Sequence, residues 1–130
     1  MESPPRTVAV VEDDPSMRRS IERLLNAHGY KTEAFDSAEA FLRRPSAIAA
    51  DCLVLDIHLN AMSGIQLRRR LLDLGSALPV IFVTAVDDET VESEAREARC
   101  IAYFHKPFPG KLLLSALEDV LSGSSPTGAL

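Results

Sequence analysis

The sequence predicts a doubly wound α/β domain, a parallel sheet with helices on both faces. Hydrophobic patterning alternates along the chain between short continuous apolar runs and stretches at helical spacing. The 130 residues suffice for one domain and bury roughly 68% of their unfolded surface, so no disulfide or metal staple is needed. Hydrophobic residues at 46% and charged residues at 25% match a globular domain rather than a disordered chain. No apolar run approaches the ~20 residues of a membrane span.

Each element has its own signal. Thr7 to Val11 is the first apolar run, as expected of a strand covered on both faces. Pro15 suits a helix's first turn, followed by Met17, Ile21, Leu24, Leu25 and His28 at helical spacing, with Gly29 closing the helix in a left-handed conformation. Lys31 to Phe35 reads as the second strand. Asp36 and Glu39 have capping-box spacing before Phe41 and Leu42, and Pro45 ends that short helix. Cys52 to Leu55 is the third strand and stops at Asp56. Gly64 begins a helix marked by Ile65, Leu67, Leu71 and Leu72 that stops near Gly75. Pro79 to Val83 is the fourth strand, ending at Thr84. Asp87 or Asp88 caps a fourth helix along Val91, Ala95 and Ala98. Ile101 to Phe104 is a short fifth strand. Pro109 opens a last helix with Leu113, Leu117, Val120 and Leu121 on its buried face. The Ser-, Gly- and Pro-containing stretch 122–130 reads as a flexible tail or the beginning of a linker.

Other features bound the function. Met1 to Arg6 has no basic start followed by an apolar stretch, so no signal peptide is expected. A formal charge of −5 argues against direct nucleic-acid binding. Cys52 and Cys100 fit neither a zinc nor a disulfide pattern and read as reduced thiols in a cytoplasmic protein. Arg68-Arg69-Arg70 reads as a solvated helix face. Arg18 and Arg19 flank the end of the first strand, where they could meet a partner, and Met17 could dock a partner helix.

In such a sheet, ligands bind beyond the carboxyl ends of the strands where strand order reverses. The first strand delivers Glu12, Asp13 and Asp14 there, the third Asp56, the fourth Thr84, and the fifth His105 and Lys106. If the strand order is 2-1-3-4-5, Asp13 and Asp56 converge with Glu12 close by. Each residue alone has an ordinary use, in a helix cap, a turn, a strand or a solvated surface. Gathered together, three carboxylates invite a hard divalent cation such as Mg²⁺. A hydroxyl and an ammonium group beside them suit phosphoryl transfer, with a carboxylate oxygen as acceptor.

From Thr7 to Leu121 the sequence resembles the receiver domain of two-component response regulators. The resemblance lies in Val10-Val11-Glu12-Asp13-Asp14, Leu53-Val54-Leu55-Asp56-Ile57-His58-Leu59, Met62-Ser63-Gly64, Val83-Thr84-Ala85 and Tyr103-Phe104-His105-Lys106-Pro107-Phe108. Ser37-Ala38-Glu39-Ala40-Phe41-Leu42 is most similar to receivers of FixJ-type transcriptional regulators. The resemblance implies a flavodoxin-like (βα)5 fold over residues 1–121. It implies Asp56 as phosphoacceptor, Asp13 and Asp56 as Mg²⁺ ligands, Glu12 reaching the metal through water, and the His58 backbone carbonyl as a further ligand. Thr84 would hydrogen-bond the phosphoryl group, Lys106 would pair with it, and Thr84 and Tyr103 would switch. The implied donor is a sensor histidine kinase or a histidine phosphotransfer protein. The implied role is not an enzyme's but a phosphoacceptor's, one that assists its own phosphorylation and dephosphorylation. The response would be at the surface of the fourth helix, fifth strand and fifth helix, with dimers or partner docking there.

Two positions depart from the family. Asn60 stands where proline is usual, four residues after the acceptor, so the loop is expected to be less rigid. Arg99 stands where glycine is favoured after the fourth helix, so that helix is expected to end differently. An alternative is a Mg²⁺-dependent phosphatase of the haloacid dehalogenase class, which expects a second aspartate where this chain has His58. A flavin-binding module is opposed by the acidic end of the first strand. No helix-turn-helix follows Leu121, so the chain reads as a free-standing receiver or one cut from a longer regulator.

Overall fold

The computed structural model describes residues 5–44 and 50–122. Within them strands and helices alternate: β1 (Thr7–Val11), α1 (Pro15–Ala27), β2 (Lys31–Phe35), α2 (Ala38–Leu42), β3 (Cys52–Asp56), α3 (Gly64–Asp73), β4 (Val80–Thr84), α4 (Glu89–Glu97), β5 (Ala102–His105) and α5 (Gly110–Leu121). The strands form one parallel sheet in the order β2-β1-β3-β4-β5, as expected.

The continuous apolar runs have a simple cause, because the sheet is covered on both faces. Val8, Val10, Val54 and Ile81 face α1 and α5 with Leu25 and Leu117. Ala9, Val11, Leu55 and Phe82 face the other helices with Phe41 and Leu67. Every residue of β3 and β4 is buried, whereas β2 and β5, at the sheet edges, are partly covered. Emptying one such site, for example Leu117→Ala, costs about 2–5 kcal/mol. Among the described residues no helix is long and apolar enough to cross a membrane.

Several boundaries move by a residue. β4 begins at Val80, since Pro79 lacks an N–H for the ladder and contributes only its carbonyl, to Leu53. β5 pairs Ala102 to His105 with Ile81 to Thr84, which leaves Ile101 outside the strand and 43% exposed. α1 ends at Ala27, and His28 is an exposed cap whose Nδ1 lies 3.0 Å from the Leu24 carbonyl, so it does not join the apolar face. Gly29 takes φ 90°, the left-handed closure expected of it, and Gly75 closes α3 the same way at φ 78°. Asp88 caps α4, and Pro109 sits just before α5 as its cap. On α5, Leu113, Leu117 and Leu121 are buried and Val120 partly so.

Three expectations are corrected. The cap of α2 is Ser37, whose Oγ accepts from the Ala40 N–H at 3.0 Å, and not Asp36; Glu39 accepts from the Met62 N–H instead of returning to the cap. Pro45 and residues 123–130 lie outside the described residues. Arg99 adopts φ 62°, the left-handed conformation glycine would have taken, so α4 closes in that way after all. Arg68 does not lie on a solvated face, although Arg69 and Arg70 do. It is 6% exposed and donates to the carbonyls of Leu78 at 2.8 Å, Ala98 at 3.0 Å and Arg99 at 3.1 Å. These are carbonyls that the end of α4 and the approach to β4 leave without ladder partners. The clamp holds Arg99 in its left-handed geometry.

Candidate functional site

The order 2-1-3-4-5 reverses between β1 and β3, and the carboxyl ends of these strands open a crevice. Glu12, Asp13 and Asp56 converge in it with ligand oxygens all within 4.8 Å of one another. Glu12 is 1% exposed and Asp56 4% exposed. Asp14, the third acid ending β1, turns away to cap α1 and accepts from the Ser16 N–H at 2.9 Å. Arg18 also acts locally, donating to the Glu12 backbone carbonyl at 2.9 Å, while Arg19 is exposed.

Lys106 reaches this cluster from beyond β5. Its Nζ donates to Glu12 Oε1 at 2.7 Å and lies 3.6 Å from Asp56 Oδ2. The Glu12 carboxylate also accepts from the Asp14 N–H at 3.2 Å. Asp56 Oδ1 accepts from the His58 N–H at 3.3 Å, while the His58 side chain is exposed. Burial and the neighbouring Glu12 charge push the Asp56 carboxyl up to about 7, against the pull of Lys106 and the His58 N–H. Lys106 therefore pairs with two of the three carboxylates, and the donors are all hard oxygens. That set fits a hard divalent cation with a few retained waters.

Gly64 has a steric reason to be glycine. A Cβ there would drive into the backbone carbonyl oxygen of Asp56, and its N–H donates to the Ile57 carbonyl at 2.8 Å. α3 can therefore start directly beside the acceptor strand. Thr84 ends β4, fully buried, and its Oγ1 accepts from the Val86 N–H at 3.1 Å. Its carbonyl accepts from the Lys106 N–H at 2.7 Å, which ties the loop beyond β5 to the end of β4. Tyr103 is partly buried on β5 against the helix layer that includes α4, with Arg96 of α4 5.9 Å from its ring centroid. Burial raises the pKa of its hydroxyl, helped by Glu92, Asp87 and Asp88 at the start of α4.

A family model described as the response regulator receiver domain matches residues 8–118. The chain belongs to the response regulator receiver domain family. The receiver is 33% identical to the response regulator protein TmoT of Ectopseudomonas mendocina over 114 residues, 88% of this chain and 52% of that protein. It is also 33% identical to the transcriptional regulatory protein FixJ of Rhizobium meliloti over 112 residues, 86% of this chain and 55% of that protein. The receiver thus spans about half the length of these curated relatives. The crystal structure of FixJ-N superposes with TM-score 0.84 at 30% identity, over 98% of this chain and all of that one. The haloacid dehalogenase phosphatase reading has no support from these comparisons.

The receiver brings together Glu12, Asp13, Asp56 and Lys106 as the sequence suggested, with Thr84 ending the adjacent strand. Sequence reasoning missed two supports. Glu39 accepts from the Met62 N–H at 3.1 Å, across from one element to another. Arg68 lies four residues after Gly64 and three before Leu71, on the buried stripe of α3, a spacing that could have marked it.

Proposed function

We propose that this receiver is a phosphorylatable signalling switch that takes a phosphoryl group onto Asp56 from a sensor histidine kinase or a histidine phosphotransfer protein. One observation carries the reading. A buried carboxylate at the end of β3 has an ammonium 3.6 Å away and two further carboxylates within ligand reach. An Asp56 oxygen attacks phosphorus, and the new O–P bond forms as the donor's N–P bond breaks. The electron pair of that bond stays on the imidazole nitrogen, which takes up a proton.

Lys106 is placed to exchange its contact with Glu12 for the incoming phosphoryl oxygens. A Mg²⁺ held by Asp13, Asp56 and the His58 backbone carbonyl, with Glu12 acting through water, would neutralise charge on the phosphoryl oxygens and favour the ionised Asp56 nucleophile. Thr84 is the first moving part. Turning its hydroxyl toward the phosphoryl group removes the acceptor of the Val86 N–H and loosens the approach to α4. Tyr103 then packs further inward between β5 and α4, changing the α4-β5-α5 surface for an output partner, in the same chain or another, or for a second copy. The setting is cytoplasmic, without a membrane or direct nucleic-acid contact by this domain.

The test is labelling with a small acyl or amidophosphate donor. Wild type should take up one phosphoryl group, Mg²⁺-dependent and released by hydroxylamine as an acyl phosphate is. Asp56→Asn, which keeps the shape and removes the nucleophile, should take up none. Donor-dependent labelling of Asp56→Asn at another residue would sink the assignment.

A further inference from the structure

We infer that Glu39, in the first turn of α2, is a positioning residue for the phosphoryl site, holding the loop between β3 and α3 in the shape its metal-facing backbone needs. The inference rests on the phosphoacceptor reading above. Local bonds fix both ends of this loop. His58 donates to Asp56 Oδ1 at 3.3 Å at one end, and Ser63 to the Gln66 side chain at 2.8 Å at the other. The Leu59 N–H also donates to the Ile57 carbonyl at 3.2 Å, but among the described residues Asn60 to Met62 have no such local bond. Ala61 sits at φ 60°, a left-handed conformation that strains a side chain. Asn60 beside it lacks the fixed φ that proline would supply.

It is here that Glu39 Oε2 accepts from the Met62 N–H at 3.1 Å, from a half-buried position 23 residues away in sequence. The carboxylate is available because Ser37 and the Ala40 N–H complete the cap of α2 without it. A backbone N–H bonded to a charged acceptor is about twice as strong as one bonded to a neutral acceptor. Leu59 and Met62 pack onto the core around it, so this bond fixes the polar side of a strained turn whose apolar side is already seated. Without it, the turn at Ala61 can relax, and the His58 backbone moves with it.

The test is Mg²⁺ titration of the intact chain followed through amide NMR shifts, in wild type and in Glu39→Ala, Glu39→Met and Glu39→Gln. Glu39→Met keeps the side-chain volume and carries the comparison if the alanine variant folds poorly. Both variants should move the Met62 amide proton upfield in the metal-free state and raise the Mg²⁺ dissociation constant roughly tenfold, the scale of losing an outer partner of a metal ligand. Glu39→Gln retains an acceptor oxygen for a weaker, neutral bond and should bind between wild type and Glu39→Met, within roughly threefold of wild type. Unchanged affinity in Glu39→Ala and Glu39→Met overturns the inference. So does Glu39→Gln binding as weakly as Glu39→Met, because charge rather than the bond would then matter. Acyl-phosphate labelling of wild type runs alongside. An unlabelled wild type overturns the phosphoacceptor reading, whereas a labelled one whose Mg²⁺ affinity ignores Glu39 overturns this inference alone.

Discussion

Protonation of Asp56 links the crevice to the stability of the whole chain. Its carboxyl titrates near 7 in the metal-free fold, above the ordinary value of 3.8. A raised folded-state value means the fold prefers the neutral acid, so that stabilisation is complete below about pH 4 and is lost as pH rises through 7. Without Mg²⁺, the melting temperature should fall between pH 4 and 7.5 by on the order of 5 °C. Asp56→Asn, neutral throughout, should flatten the slope over that window. A wild-type slope equal to that of Asp56→Asn would mean the carboxyl is already ionised at pH 4. The sequence exposed the identity of these groups, since each acid ends an apolar run. It could not expose their sharing of one cation, because Glu12 and Lys106 meet only through the sheet.

At the level of the elements, the fourth helix ends on a compromise between Arg99 and Arg68. A non-glycine residue at φ 62° is strained by about 1–2 kcal/mol, and the Arg68 guanidinium offsets this by bonding the carbonyls around it. Arg68→Met should lower stability by about 2–3 kcal/mol, as loss of charged hydrogen bonds to buried carbonyls does. Arg99→Gly should raise it by about 0.5–1 kcal/mol. Arg68 holds Arg99 in the strained geometry, so the gain from Arg99→Gly should be smaller in the Arg68→Met background, where Arg99 is free to relax. Urea melts of the four proteins check this, and simple additivity would count against the clamp. Local pattern was enough to find each helix and strand, but not which of two neighbouring polar residues caps α2. Asp36 and Ser37 are both good caps by type. The choice fell to Ser37, whose hydroxyl meets the Ala40 N–H, while Glu39 is engaged with the β3–α3 loop.

For the molecule as a whole, alternating periods and right-handed crossovers pointed to a doubly wound parallel sheet, whereas its order, 2-1-3-4-5, entered the reading as a condition that the sheet then met. What the switch does depends on how far a change at Thr84 travels. With a beryllofluoride phosphoryl mimic and Mg²⁺, amide shifts should extend from the crevice to residues 84–91, to β5 around Tyr103 and to the start of α5. Shifts confined to the neighbours of Asp13 and Asp56 would show a bound group that switches nothing. The Lys106 to Glu12 contact joins residues 94 apart in sequence. β5 lies three strands from β1 in the sheet, about 14 Å away, a gap that only two long side chains leaning toward each other can close. During synthesis, then, the acids of the crevice are made first and their counter-charge last. A growing or clipped chain that stops before β5 carries every acid of the crevice and lacks its lysine.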